Sequence, residues 1–224
     1  MVKSISYFLF DLQCLTILIS FFFSLRMLIG STPRIIRLFI LYNTVAVLVM
    51  IPFFLMTHSY TFFYFGNSLN NYSLVFGYTF LSYMLIMLMP DKKSHVILKM
   101  NYFLSITLIL ILLYLMDSNK INYLAFATSH ISLLLSSIIY LHKLYNNIPD
   151  KNLKSYPPFW IVIGILFCSV ISFPLYLFVD YLRFYNIQFQ DFIVLSNLPV
   201  FSYIVMHVFF IKAFLCSLPQ HKML

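Results

Sequence analysis

The chain contains no glutamate, and its 224 residues carry only six acidic side chains, all aspartate. Charged residues make up 9% of it, against roughly a quarter of an ordinary soluble domain. That inventory cannot cover a water-facing surface, which excludes a soluble globular domain and leaves lipid as the solvent for most of the chain. Cysteine is scarce as well. Cys14, Cys168 and Cys216 are far apart and lack Cys-x-x-Cys spacing, so they read as buried apolar thiols, with no sign of a disulfide framework or zinc site. The chain has no glycine-rich phosphate loop, no Gly-x-Ser-x-Gly, no His-Glu-x-x-His and no paired carboxylates within one apolar segment. No nucleophile–base arrangement is visible either, so the expectation is a non-enzymatic protein without a cofactor. The six histidines have no metal-ligand spacing, and a shared site would need three helices to converge. The net charge of +8 is spread among loops rather than gathered in one patch, which argues against nucleic acid as a partner.

What the chain does have is apolar length: hydrophobic residues make up 62% of it. The longest clean run begins at Pro158-Phe159-Trp160 and continues without a charge to Val179. Prolines suit the first turn of a helix, where an N–H has no intrahelical partner, and Trp160 suits the headgroup level. At 1.5 Å per residue this run spans roughly 33 Å, enough to cross a hydrocarbon core of about 30 Å. The same reading yields seven spans: Ile5–Ile29, Ile35–Met56, Tyr72–Met89, Met100–Met116, Tyr123–Leu141, Pro158–Val179 and Phe192–Leu215. The expected fold is an all-α, polytopic seven-transmembrane-helix bundle forming a single domain over residues 1–224. The first span is expected to be retained, because Asp11 and Gln13 interrupt a would-be signal core and no small-x-small cleavage site follows before Arg26.

Basic residues set the expected orientation. Eleven of the fourteen lie in the loops after spans one, three and five or at the C-terminal end, and only Lys3, Lys120 and Arg183 lie opposite. By the positive-inside rule the N-terminus faces out and the C-terminus lies in the cytoplasm. No loop exceeds about fifteen residues, which leaves no room for a further soluble domain between spans. An internal echo accompanies this layout. Leu18-Ile19-Ser20 through Leu28 and Leu134-Leu135-Ser136 through Leu144 both end on a basic step at the same register. The echo suggests a 3+1+3 plan with spans one to three and five to seven as parallel repeats, although any two apolar helices ending in a basic residue look somewhat alike.

Polar side chains inside spans are costly, about 2.5–3.5 kcal/mol for an unpartnered charge, and so point to function. Asp11, His130 and Asn197 are expected roughly 9–12 Å below the outer surface, together with Gln13. An Asp11–His130 pair could relay a proton, bind a cation or sense a ligand, and Asp11 is expected to face the bundle interior. Asn43, Tyr83 and His207 form a deeper, secondary level. For the amides the bland reading is helix-to-helix hydrogen bonding at roughly 0.6 kcal/mol each. Methionine, phenylalanine and the other tyrosines read as packing and lipid-facing groups. Lys212 lies near a span end, where its long side chain snorkels, and has no counter-ion of the kind a retinal lysine needs.

The stretch Pro158-Phe159-Trp160-Ile161-Val162-Ile163-Gly164-Ile165-Leu166 and the closing Phe210-Ile211-Lys212-Ala213-Phe214-Leu215-Cys216 resemble a set of uncharacterised Bacteroidota seven-span membrane proteins. Such proteins are often encoded beside sensor histidine kinases. The resemblance implies a bacterial inner-membrane location and a signalling partner. Many of those relatives carry a Glu-Phe pair in span three, where this chain reads Val75-Phe76-Gly77-Tyr78. Two functions stay open at this point. One is a membrane sensor or accessory module that docks a partner through its basic loops. The other is a small transporter or channel with a polar site in the outer half of the bundle.

Overall fold

Runs of Leu, Ile, Phe and Val in lipid must satisfy every backbone N–H and C=O internally, and the helix does so within one segment. The computed structural model describes residues 2–26, 34–57, 63–89, 91–115, 121–147, 153–184 and 189–217, and among these it contains seven α-helices and no strand. They are α1 (Val2–Arg26), α2 (Arg34–Thr57), α3 (Phe63–Leu88), α4 (Lys92–Leu115), α5 (Tyr123–Asn147), α6 (Pro157–Phe184) and α7 (Phe189–Ser217), with a 3-10 turn at Leu153–Ser155.

Several helices outrun their expected spans. α3 begins at Phe63 rather than Tyr72, and α4 at Lys92 rather than Met100. Hydropathy marks only the part of a helix that needs lipid, whereas backbone pairing continues through polar turns. The start of α4 is set by Asp91, whose Oδ2 accepts from the Ser94 backbone N–H at 3.0 Å and the Ser94 hydroxyl at 2.9 Å. Asn122 caps α5 in the same way, accepting from the Ala125 N–H at 2.9 Å.

Among the described residues six helices are long and apolar enough to cross a membrane, and in α2 the apolar stretch found is the shorter Leu38–Ile51. Their outer surfaces are apolar too. Met100, Phe103, Leu104 and Tyr114 of α4 are all well exposed, a surface that only lipid or another apolar partner would tolerate. The chain is therefore a membrane-embedded helical bundle in contact with the bilayer.

The bundle has two ends, called here the N-face, where α1 begins, and the C-face, where α7 ends. At the N-face, Asn122 before α5 bonds both the Leu112 carbonyl of α4 (2.7 Å) and Asn71 of α3 (3.2 Å). At the C-face, Trp160 Nε1 donates to the Lys154 carbonyl at 2.8 Å, and Lys212 Nζ lies 5.9 Å from the Trp160 ring centroid. Lateral packing runs α1–α2–α3–α5–α6–α7 and closes through α7 on α1, with α4 outside the ring against α3 and α5. The α6–α7 seam is the most extensive. Gly164, Cys168 and Ser172 recur every four residues along α6, the small-residue spacing that lets helix backbones approach. A Cβ on Gly164 would stand 3.0 Å from Phe209 Cβ and 3.1 Å from the Met206 carbonyl oxygen.

The C-face half of the ring is solidly packed. Phe39 meets Phe210 and Phe214 edge-on at 4.9 and 5.6 Å, and Met84, Leu85 and Val162 beside them are fully buried. The N-face half is not filled in this way.

Candidate functional site

Above that packed half lies a cavity of about 420 Å³, within the range of small-molecule sites. All six ring helices line it and α4 does not. α1 contributes Phe10, Gln13, Cys14 and Ile17, and α3 contributes Asn70, Ser73, Gly77 and Leu81, each set at the three-to-four spacing of one helical face. α7 contributes Pro199, Tyr203 and His207, spaced by four. No Asp, Glu, Lys or Arg is among the described residues of the wall. The walls are instead apolar and aromatic, with hydroxyl, amide, thiol and imidazole groups interspersed.

His130 of α5 is 3% exposed and fixed on two sides. Its ring stacks on Tyr176 of α6, centroids 5.5 Å apart, and its Nε2 is 3.2 Å from the Tyr203 hydroxyl of α7. Tyr176 in turn packs on Tyr123 and Phe126. His207 lies one turn deeper on α7, 2% exposed, stacked on Tyr42 at 6.3 Å and edge-on to Phe210 at 5.5 Å. Three wall atoms are buried without a hydrogen-bond partner: Nδ1 of His130, Nδ1 of His207 and Oγ of Ser169. Leaving such groups unpaired costs about 1–3 kcal/mol each, and all three atoms are enclosed by protein rather than open to the cavity.

The six sequence candidates separate clearly. His130 and His207 line the same cavity, which joins the outer and deeper levels into one site. Asn197, half-buried on α7, is outside the wall. Asn43 is fully buried between helices, accepting from the Ser20 hydroxyl at 3.3 Å and donating to the Ser20 carbonyl at 3.5 Å, as the packing reading of the amides expects. Tyr83 is exposed on the outside of α3. Asp11 is exposed as well, among neighbours Phe8 and Leu15 at 65% and 52%, and the inward position expected for it belongs to Gln13. Two residues apart on a helix, Asp11 and Gln13 point about 160–200° apart, so with Gln13 facing the cavity Asp11 faces outward. Sequence reasoning also took the tyrosines for packing groups and so passed over Tyr42, Tyr78, Tyr123, Tyr176 and Tyr203. The four-residue spacing of Pro199, Tyr203 and His207 was the signal that could have found the α7 wall.

One wall residue reaches beyond the ring. The Tyr78 hydroxyl pairs with Ser132 Oγ at 2.8 Å, and Asn101 of α4 donates to Ser132 O (3.1 Å), Ser132 Oγ (2.8 Å) and Ser136 Oγ (2.9 Å). At the C-face end of α4, Lys143 Nζ lies 3.9 Å from Asp91 Oδ2. The Ser94 backbone N–H, with the Ser94 hydroxyl and Lys143, holds the Asp91 carboxyl below the usual aspartate value. No group of three or more metal-ligating side chains occurs among the described residues. No protein family, curated protein or solved structure matches the chain.

Proposed function

We propose that this chain is a non-enzymatic, seven-span sensor or accessory module of the bacterial inner membrane. Its cavity takes a small molecule from the N-face side, and its basic C-face docks a signalling partner such as a sensor kinase. The eleven-to-three distribution of basic residues supports a periplasmic N-face and a cytoplasmic C-face. The observation that carries the reading is a cavity whose wall ends at Ile17, Tyr42, Leu81 and His207, with the packed Phe39–Phe210–Phe214 cluster against Tyr42 and His207 beyond it. Such a site receives a ligand without passing it on. The Tyr78–Ser132–Asn101 chain of bonds supplies a path from the wall to α4 and its basic start at Lys92 and Lys93.

One observation favours a small transporter instead. In the ring, α3 abuts α5 as α7 abuts α1, with α4 outside, which is the order that two parallel three-helix repeats would take. Hydrogen bonding does not follow the repeat. Ser20 bonds forward to Asn43 on α2, whereas Ser136 accepts from Asn101 on α4.

Alternating access separates the two readings, because Cys14 and Cys168 both line the cavity. In a Cys216→Ser background, a membrane-impermeant thiol reagent is applied from each side of oriented vesicles. The sensor reading expects modification of the cavity thiols from the N-face side alone. Protection from that side and reaction from the C-face would overturn it, and reaction from both sides would establish transport.

A further inference from the structure

Resting on the reading of the cavity as a ligand site, the deeper part of its wall defines the class of molecule it takes. No ionised side chain lines it among the described residues, and an ion entering would lose its water without gaining a counter-ion. Polar groups are present, but they are spent on the protein. Ser73 and Ser129 donate back to the Asn70 and Phe126 carbonyls of their own helices at 2.8 and 2.7 Å. The Tyr78 hydroxyl pairs with Ser132, the Tyr203 hydroxyl with His130, and the Cys168 thiol with Ser202 at 3.4 Å. Nδ1 of His130, Nδ1 of His207 and Oγ of Ser169 are closed off by protein. Between these groups the deeper wall is carbon, from Ile17, Val45, Leu81, Leu133, Ile165 and Met206.

The two side-chain amides of the wall lie toward the N-face. Gln13 precedes Ile17 by about 6 Å along α1, and Asn70 precedes Leu81 by about 16 Å along α3. A polar end on a guest is therefore tolerated at that level and left unpaired at the floor. Ordered water fares no better at the floor, since each molecule needs two to four polar partners. An apolar cavity of about 150 Å³ holds benzene, so 420 Å³ has room for roughly 17 non-hydrogen atoms. Part of that room depends on one residue. At Gly77, in the middle of the α3 wall, no atom lies within 4 Å of where a Cβ would stand, so a larger side chain would extend into free space. We infer that the cavity binds an uncharged apolar molecule by shape and dispersion, and that Gly77 keeps open the space the molecule fills. A bilayer acyl chain and a free lipophilic compound share that chemistry.

Biphenyl and 4,4′-bipyridine test this as a matched pair. The second is the same frame with a nitrogen acceptor at each end, one of which must face the floor. Uptake by the full chain is measured by equilibrium dialysis in nanodiscs and in a lipid-free amphipathic polymer, each against a protein-free blank. Biphenyl is expected to bind in excess of the blank, and about tenfold or more tightly than bipyridine at equal free aqueous concentration. Gly77→Leu should weaken biphenyl about tenfold while keeping the helix content of the parent chain. If Gly77→Leu does not fold, Ala46→Leu on the α2 wall fills the same cavity and takes its place. Excess in the polymer but not in nanodiscs assigns the site to a bilayer chain that already occupies it there. Excess in both assigns it to a free molecule, the class standing either way. No excess in either medium overturns the inference, as does bipyridine binding as tightly as biphenyl. Excess that the cavity-filling variant leaves intact overturns the assignment to this cavity. A solvatochromic label on Cys216 at the C-face separates the inference from the sensor reading. Biphenyl that binds without moving the label upholds the ligand class and removes the signalling. Absent uptake together with thiol labelling from the N-face alone removes the apolar class and leaves the sensor reading standing.

Discussion

Two glycines of this chain should respond to the same substitution very differently. Gly77, on the cavity wall of α3, has no atom within 4 Å of where a Cβ would stand. Gly164, on the α6–α7 seam, has Phe209 Cβ at 3.0 Å, the Met206 carbonyl oxygen at 3.1 Å and Phe210 Cε1 at 3.5 Å. Both lie inside helices, where alanine is favoured over glycine by about 0.8–1 kcal/mol. Gly77→Ala should therefore stabilise by about that amount. Gly164→Ala receives the same benefit but forces two helices apart. The nearest obstacles are a backbone oxygen and a Cβ, which cannot rotate aside, and overpacking of this kind costs about 1–3 kcal/mol. Because the propensity contribution is common to both, the difference between the variants isolates the clash.

The assay is reversible unfolding in mixed micelles with increasing denaturing detergent, followed by helix circular dichroism. Gly77→Ala is expected to unfold at higher detergent than the parent chain, and Gly164→Ala to lie below Gly77→Ala by about 1–3 kcal/mol. A Gly164→Leu variant should be worse again, since its added atoms meet the same seam. If Gly164→Ala proves as stable as Gly77→Ala, the close approach of α6 and α7 is refuted. The explanation of the Gly164-Cys168-Ser172 spacing would go with it.

Asn101→Leu removes two N–H donors shared among three acceptors on α5 and should cost about 1 kcal/mol by the same unfolding assay, at roughly 0.6 kcal/mol per bond, whereas Tyr78→Phe removes one bond and should cost about half as much. Asp91 has a lowered native value, so its cap on α4 helps fully above the unfolded value of about 4 and loses effect as pH falls through the native one. The melting advantage of the parent chain over Asp91→Ala should accordingly be constant above that pH and shrink below it. Reporter fusions placed within residues 58–62 and after Leu224 should report opposite sides of the membrane; the same side for both would remove the seven-span topology. Asp11→Leu should leave the isolated protein at least as stable while weakening recovery of any membrane partner that pairs with the carboxylate, and a clear loss of stability in detergent would return Asp11 to the bundle interior.

The bundle was largely legible because lipid makes one demand on every segment, namely length and apolarity, and both are written locally. Trp160 and Lys212 were readable at the C-face for the same reason: each has an apolar body and a polar end that must find the boundary. The ends of α3 and α4 were misjudged because a helix can continue past the hydrocarbon through polar turns. Asp91-Lys92-Lys93-Ser94 holds a readable cap, although its charges place it outside the hydrocarbon. The closing of α7 on α1 and the exclusion of α4 from the ring depend on which faces meet, and helices apolar on all sides carry little amphipathic signal to say so.

The site was half legible for a related reason. A wheel gives the angle between two side chains but not the direction of the bundle axis, and for α1 the polar residue was assumed to point inward because charge avoids lipid. That rule ranks costs within one chain. It fails where the cavity can be lined by a neutral amide, Gln13, and the carboxylate is left for the outer surface beside Phe8 and Leu15. His130 and His207 were found from polarity alone, since a buried imidazole is costly wherever it points. Their shared cavity was not, because it is enclosed by tyrosines that also fit a lipid-facing or packing role in sequence. A tyrosine in a span is informative only through its register. Tyr203 lies four residues before His207 and four after Pro199, and that spacing aims one face of α7 at the cavity. Polar residues that keep such a register within a span are better guides to an intramembrane site than the most costly charge.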